Sequence, residues 1–286
     1  MSQTFEAGGV TQTLRTRLGQ GQSGNKLGLY NEESTQSSSL GLALDVDDGA
    51  EYRYSHYVSA VTVGKVSALD ISVAGFASID GKFTDSAGSA KDDYGTDDDT
   101  IYLTDTGTFQ SENDAANVWA GGYLFITDAA GEGFKYRIKS HPQPEVEPAT
   151  AGTIKLVLQD NLAAALDSES SAAIIGNRYK NLAEASTTDN LVCGVTVRSV
   201  TAAYYAWTQT RGWANVLADE SAGTIAAGTI ATLSDSVGGA AQPLGGAALN
   251  SEDAYDLYQL ITDPILGHFG TAAANTEYTP IFLTLG

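Results

Sequence analysis

Apolar and polar residues alternate with a period of two along much of this chain, the spacing that sends successive side chains to opposite faces of a strand. In YRYSHYVSAVTVGKV, Tyr52, Tyr54, His56 and Val58 share one face and Arg53, Ser55 and Tyr57 the other, after the turn DVDDGAE. The same pattern recurs in TIYLTD, GYLFITD, GFKYRIKSH, TIKLVLQD, LVCGVTVRSV, YYAWTQTR, ANVLAD, TIATLSD and PIFLTLG. Most of these runs are bounded by Gly, Asp, Asn or Pro, the residues that turns require. Many short strands at regular spacing predict an all-β chain of two small β-sandwich or β-barrel domains.

Helical spacing is confined to two segments, which predict one or two short accessory helices. NLAAALDSESSAAI is the weaker pattern; in NSEDAYDLYQLITDP, Asn250 or Ser251 caps a run of Ala254, Leu257, Tyr258 and Ile261 that Pro264 ends. SHPQPEVEPATAG, with three of the six prolines, reads as a linker or as a long inter-strand loop. The expected division is an arm and first strands over 1–66, a middle β domain over 67–190 and a C-terminal β domain over 191–286. No period of 20 to 50 residues marks a repeat architecture.

Charge changes this picture at one end. The chain carries 35 Asp and Glu against 15 Lys and Arg, a formal net charge of -20. Such a surface repels phosphates, so neither nucleic acid nor, without an apolar run of about 20 residues, a membrane is an expected partner. Residues 1–30 differ, with Arg15, Arg17 and Lys26 against Glu6 alone. This extended N-terminal arm contains GQGQSGNKLG, too poor in apolar residues to pack by itself, and is expected to be mobile unless an acidic surface orders it. Its start lacks the basic-then-apolar order of a signal peptide.

Candidate chemistry is sparse. GQGQSG, residues 19–24, matches G-x-G-x-x-G as a string but is not followed by the helix that aims amides at a pyrophosphate. DDYGTDDD, residues 92–99, places five carboxylates in eight residues without the spacing of a calcium loop, and reads first as a solvated acidic segment. The three histidines, His56, His141 and His268, stand apart in sequence, and no H-E-x-x-H, C-x-x-C or G-x-S-x-G occurs. Cys193, the single cysteine, lies in an apolar run and reads as a small buried side chain. These features assign no catalytic residue, metal or cofactor.

The bulkiest residues gather in AAYYAWTQTRGWANVLADE, residues 202–220, which is open to reading as a catalytic aromatic cage, a glycan platform, a docking face or a packed hairpin. Tyr205, Trp207, Gln209 and Arg211 fall on one strand face before Gly212, where a turn into WANVLADE predicts a β-hairpin. Tyr205 and Trp207 suit a core. Arg211 and Trp213 would flank the turn, and are of the residue types that anchor interfaces.

Here the chain resembles a known class. NRYKNLAEA, GVTVRSVTAAYYAWTQTRGWANVLADE, GTIATLSDSVGGAAQPL and ILGHFGTAAANTEYTPIFLTLG are similar to the C-terminal pattern of tailed-bacteriophage virion structural proteins of the capsid decoration, or cement, type. LALDVDDGAEYRYSHYVSAVTVGKV and GEGFKYRIKSHP fit the same proteins in the same order, so the likeness spans most of residues 42–286. Trp213 stands where a small residue or proline is expected, and the segment around SEDAYDLYQLITDP is longer than expected. The resemblance implies a non-enzymatic protein on the outer capsid surface that bridges neighbouring major capsid proteins, as a homo-oligomer, a trimer before a dimer. Arg15, Arg17 and Lys26 of the arm and Arg211 and Trp213 would make the contacts. The alternatives are a tail or surface-fibre component that binds host glycan through exposed aromatics, and a secreted carbohydrate-active enzyme.

Overall fold

The structure, a computed structural model, describes residues 2–7, 10–16, 28–70, 77–104, 116–142, 153–187, 191–244 and 264–285. Strand follows strand through all of them. The first group is β1 (Ser2–Ala7), β2 (Val10–Thr16), β3 (Glu32–Glu33), β4 (Ala43–Val46), β5 (Glu51–His56) and β6 (Val66–Leu69). Next come β7 (Ala77–Thr84), β8 (Thr100–Thr104), β9 (Tyr123–Asp128), β10 (Lys135–Ser140), β11 (Thr153–Leu158) and β12 (Ser171–Ile175). The last group is β13 (Leu182–Glu184), β14 (Val192–Thr196), β15 (Tyr205–Leu217), β16 (Ile230–Leu233), β17 (Ala241–Pro243), β18 (Ile265–Phe269) and β19 (Tyr278–Thr284). The chain is all-β.

Two compact units result: residues 1–70 together with 179–286, and residues 71–178 between them. The segments expected as first and third domains thus contribute to a single unit, and the middle unit interrupts it. SHPQPEVEPATAG connects β10 to β11, two paired strands of one barrel.

The middle unit is a closed six-stranded antiparallel barrel in the order β10-β11-β8-β7-β12-β9. Alternate residues of YLFITD, KYRIKS and TIKLVL point inward, and Leu124, Ile126, Ile138, Ile154, Leu156 and Leu158 fill it together with Trp119 and Phe83. A small barrel of this kind is a packed core and not a channel. The helix expected over NLAAALDSESSAAI is corrected here: its residues 161–170 form turns and an isolated bridge, and its last four enter strand β12, with Ala172 and Ile174 buried against β9. Its Ala residues are small enough to sit where β12 is squeezed between β7 and β9, so packing overrides their helical propensity. The second expected helix, over 250–264, lies outside the described residues except for Pro264.

The other unit is a 13-stranded sheet whose main path runs β1-β2-β4-β5-β15-β19-β18-β16-β17. The N-terminal segment expected as a mobile arm contributes the antiparallel pair β1 and β2, and Arg15 of β2 stands in register with Asp45 of β4. Arg17 and Lys26 lie outside the described residues.

Two cores stabilise this sheet. One is aliphatic and includes Val66, Val195, Val216, Leu266, Ile281 and Leu283. The other is aromatic and brings together the two faces that alternation predicts on β5 and β15: Tyr205 opposes His56, Trp207 opposes Tyr54 and Gln209 opposes Tyr52. Tyr54 stacks on Tyr205 at 5.7 Å and meets Trp207 edge-on at 5.6 Å, the offsets aromatic quadrupoles favour. The Tyr54 hydroxyl donates to Glu33, which burial and this carboxylate together hold above the usual tyrosine pKa. Cys193 is fully buried, in keeping with its apolar run.

Candidate functional site

No turn forms at Gly212. Strand β15 continues through it for 13 residues, which corrects the predicted hairpin. Gly212 has φ +84, and a Cβ there would meet the Cα of Ala50 at 2.9 Å. The glycine thus permits close approach to β5 just beyond a bulge: the register against β5 slips between Gln209 and Arg211, while β15 continues in unbroken register with β19. The buried Gln209 side chain secures this bulge by donating from Nε2 to the carbonyls of Arg211, at 3.0 Å, and Trp213, at 2.9 Å.

Beyond the bulge, β15 alternates strictly, with Ala214 and Val216 inward and Arg211, Trp213 and Asn215 outward. Trp213 is 61% exposed, whereas Trp119 and Trp207 are fully buried. Its cross-strand partner on β19 is Phe282, whose own partner on β18 is His268, which in turn opposes Ile230 on β16. A row of four large side chains thus crosses four strands on one face. The indole is held in place from two sides: Phe282 meets it edge to face at 5.4 Å, and a Cβ on Gly270 would touch it at 2.6 Å. Tyr278 and Ile265 are exposed at neighbouring points of the same two strands.

The electrostatics of this face differ from those of the chain as a whole. None of the 35 acidic residues falls within β15, β16, β18 or β19. Arg211 reaches Glu51 at 3.4 Å, but more than half of its side chain is exposed, and such surface pairs contribute about 0 to 1 kcal/mol. Its guanidinium remains open to a further acceptor.

Of the predicted contact residues, the structure brings Arg211 and Trp213 together on this face, two positions apart on one strand. Arg15 lies on β2, beyond β4 and β5 in the sheet order. Phe282 and Gly270 were not singled out from the sequence, and His268 was considered there only as an isolated histidine. The alternation in EYTPIFLTLG places Phe282 outward, but nothing local reveals that it opposes Trp213.

Among the described residues, no three His, Cys, Asp or Glu side chains converge as a metal would need. The carboxylates of residues 92–99 diverge: Asp92 accepts from the Ser168 amide, Asp98 from the Gly95 amide and Asp99 from the Thr100 hydroxyl. His141 is committed on both nitrogens, with Nε2 accepting the Trp119 amide at 3.0 Å and Nδ1 donating to the Pro142 carbonyl at 2.8 Å. His56 donates from Nδ1 to Asn181, and burial lowers its pKa. Among the described residues, no helix is long and apolar enough to cross a membrane.

One buried carboxylate has a concentrated set of donors. Asp219 follows the end of β15, and its Oδ2 accepts the hydroxyls of Ser221, Ser234 and Ser236, each at 2.6 Å, while Oδ1 accepts the Ser221 amide. Desolvation raises its pKa, but the four hydrogen bonds outweigh this and hold it below the usual carboxylate value. All three hydroxyls converge on one carboxylate oxygen, so the arrangement ties the turns at Ser221 and at Ser234 to Ser236 to the end of β15. A depressed folded-state pKa stabilises above the unfolded value, near 3.8, and the contribution is lost as pH falls through the folded value. Asp219→Asn should therefore lower the urea midpoint at pH 7 and change it progressively less as pH drops below about 4. A pH-independent deficit would contradict this role.

The fold and the site together define an all-β protein with an exposed aromatic sheet face. The chain matches no known family profile, no curated protein and no solved structure.

Proposed function

We propose that this protein is a non-enzymatic virion component that docks on the outside of a tailed-phage capsid and bridges neighbouring major capsid proteins. One observation carries the proposal beyond the sequence resemblance: a rigidly supported, largely exposed tryptophan on an acid-free sheet face of a strongly acidic chain. Large apolar groups held exposed are the usual anchors of protein interfaces, and depletion of charge marks interface centres. A ligand of the assembled shell stabilises it by mass action, with no chemistry required.

Co-sedimentation with capsids that lack the protein tests this reading. Wild type should bind saturably, and Trp213→Ala should weaken binding at least tenfold while changing the unfolding midpoint little, because the side chain is mostly in water. Trp213 should also be the one tryptophan accessible to acrylamide, and capsid binding should protect it. Absence of binding by wild type would refute the proposal.

The same exposed indole supports a second reading, a tail or surface-fibre component that stacks Trp213 on a host glycan. The perpendicular packing of Trp213 and Phe282, 76° between planes, gives sugars one flat ring and not an extended platform. Quenching by cell-wall polysaccharide, with no capsid binding, would favour this alternative.

A further inference from the structure

The barrel carries a second surface of a different kind. Strands β8, β10 and β11 contain no Asp or Glu, yet they present Lys135, Arg137, Lys139 and Lys155 on the outside, because the residues between them fill the core. Tyrosines are interleaved with the cations. Tyr123 opposes Arg137 across β9 and β10 and lies under the Lys135 ammonium at 5.3 Å; Tyr102 opposes Lys155 and lies under it at 5.9 Å. None of the four cations forms an ion pair among the described residues, although Lys65, Lys82 and Arg198 all do. In a chain with more than twice as many acids as bases, a strip of cations with no acidic partner among the described residues is anomalous.

The same unit holds the complement. Residues 92–99 carry five carboxylates, of which Asp92, Asp93, Asp97 and Asp99 are exposed. The segment is pinned to the barrel by the buried Tyr94, whose hydroxyl donates to the Thr84 carbonyl at 2.6 Å and whose backbone pairs with Leu166. It is thus presented in a fixed shape, which limits the ordering cost of binding.

We infer that the cationic-aromatic strip of one copy receives the acidic segment 92–99 of a second copy, so that the chain self-associates through its barrel. A compact acidic loop fits better than a nucleic acid, because a long polyanion leaving the strip would run onto the remainder of a chain with 35 acidic and 15 basic residues. Each copy carries both halves, so the contact closes either reciprocally in a dimer or around a ring. At physiological ionic strength, repulsion between the two acidic bodies is screened beyond about 8 Å while contacts at the strip persist. This inference uses no residue of the Trp213 face and stands whether or not the protein binds capsids.

Sedimentation velocity of the full chain reads the outcome. Wild type should associate at 0.15 M salt and at least tenfold more weakly at 1 M. Reversing the strip (Lys135→Glu, Arg137→Glu, Lys155→Glu) or the loop (Asp93→Lys, Asp97→Lys, Asp99→Lys) should each give monomers. Mixing the two variants, or placing all six changes on one chain, should restore association, which no folding defect can do. A wild type that is monomeric at both salts would overturn the inference, as would association untouched by either reversal or failure of the mixture to recover. Monomeric wild type that binds a labelled single-stranded oligonucleotide, with loss in the strip variant, would overturn it in favour of nucleic acid.

Discussion

Gly267→Ala is expected to disrupt the exposed face from within. A Cβ at this position would lie 1.9 Å from the carbonyl oxygen of Phe282 and 2.8 Å from its carbon, and these are backbone atoms of the paired strand, so no rotamer change relieves the contact. Residue 267 also has φ +152, a conformation that L side chains rarely adopt. Strain of about 1–3 kcal/mol and overpacking of about 1–3 kcal/mol act together at one point. The pairing of β18 with β19 must open, and Phe282 moves away from Trp213. Chemical denaturation should show a large fall in the unfolding midpoint, and capsid binding should fall with it. An unchanged midpoint would mean that β18 does not approach β19 in this way.

Trp207→Ala is the second large effect. The side chain is fully buried between Tyr54 and the rest of the aromatic core, and removing it leaves a cavity that the paired strands β5 and β15 cannot close. Phe or Trp to Ala changes at such sites cost about 3–5 kcal/mol. Trp207 and Trp213 sit six positions apart on one strand, yet their alanine variants should behave oppositely: the first unfolds readily, and the second keeps its stability while the proposed docking weakens. Urea titration followed by circular dichroism distinguishes them. A mild deficit in Trp207→Ala would show that the aromatic core tolerates collapse.

How much of this was legible in the sequence depends on what each strand buries. Strands with one wet face, such as β5, β8 to β11 and β19, announce themselves by alternation, and the face of β5 that carries Tyr52, Tyr54 and His56 was readable residue by residue. Strand β6, VSAL, is buried along its whole length and shows no alternation to read. Strand β12 is written in small residues that locally favour a helix. Gly212 was read as a turn, yet strand β15 runs through it; a glycine serves a close strand approach as readily as a turn, and only the opposing Ala50 decides between them. Arg211 and Trp213 were picked out by residue type alone; Phe282 and Gly270 were not, because cross-strand register is a property of the fold. The cationic strip was hidden for the same reason, since β10 and β11 become neighbours only in the barrel.

The chain leaves the sheet unit after Asp70 and re-enters it at Tyr179, and the two ends are joined at once: the Asp70 amide donates to the Asn181 carbonyl at 3.0 Å, and Leu69 pairs with Leu182. The barrel is accordingly a cassette held at a stapled doorway. During synthesis it is complete before β13 emerges, so it can fold by itself while the sheet waits for its second half. A host protein built this way can lose, exchange or acquire such a cassette without altering the strands on either side of the doorway.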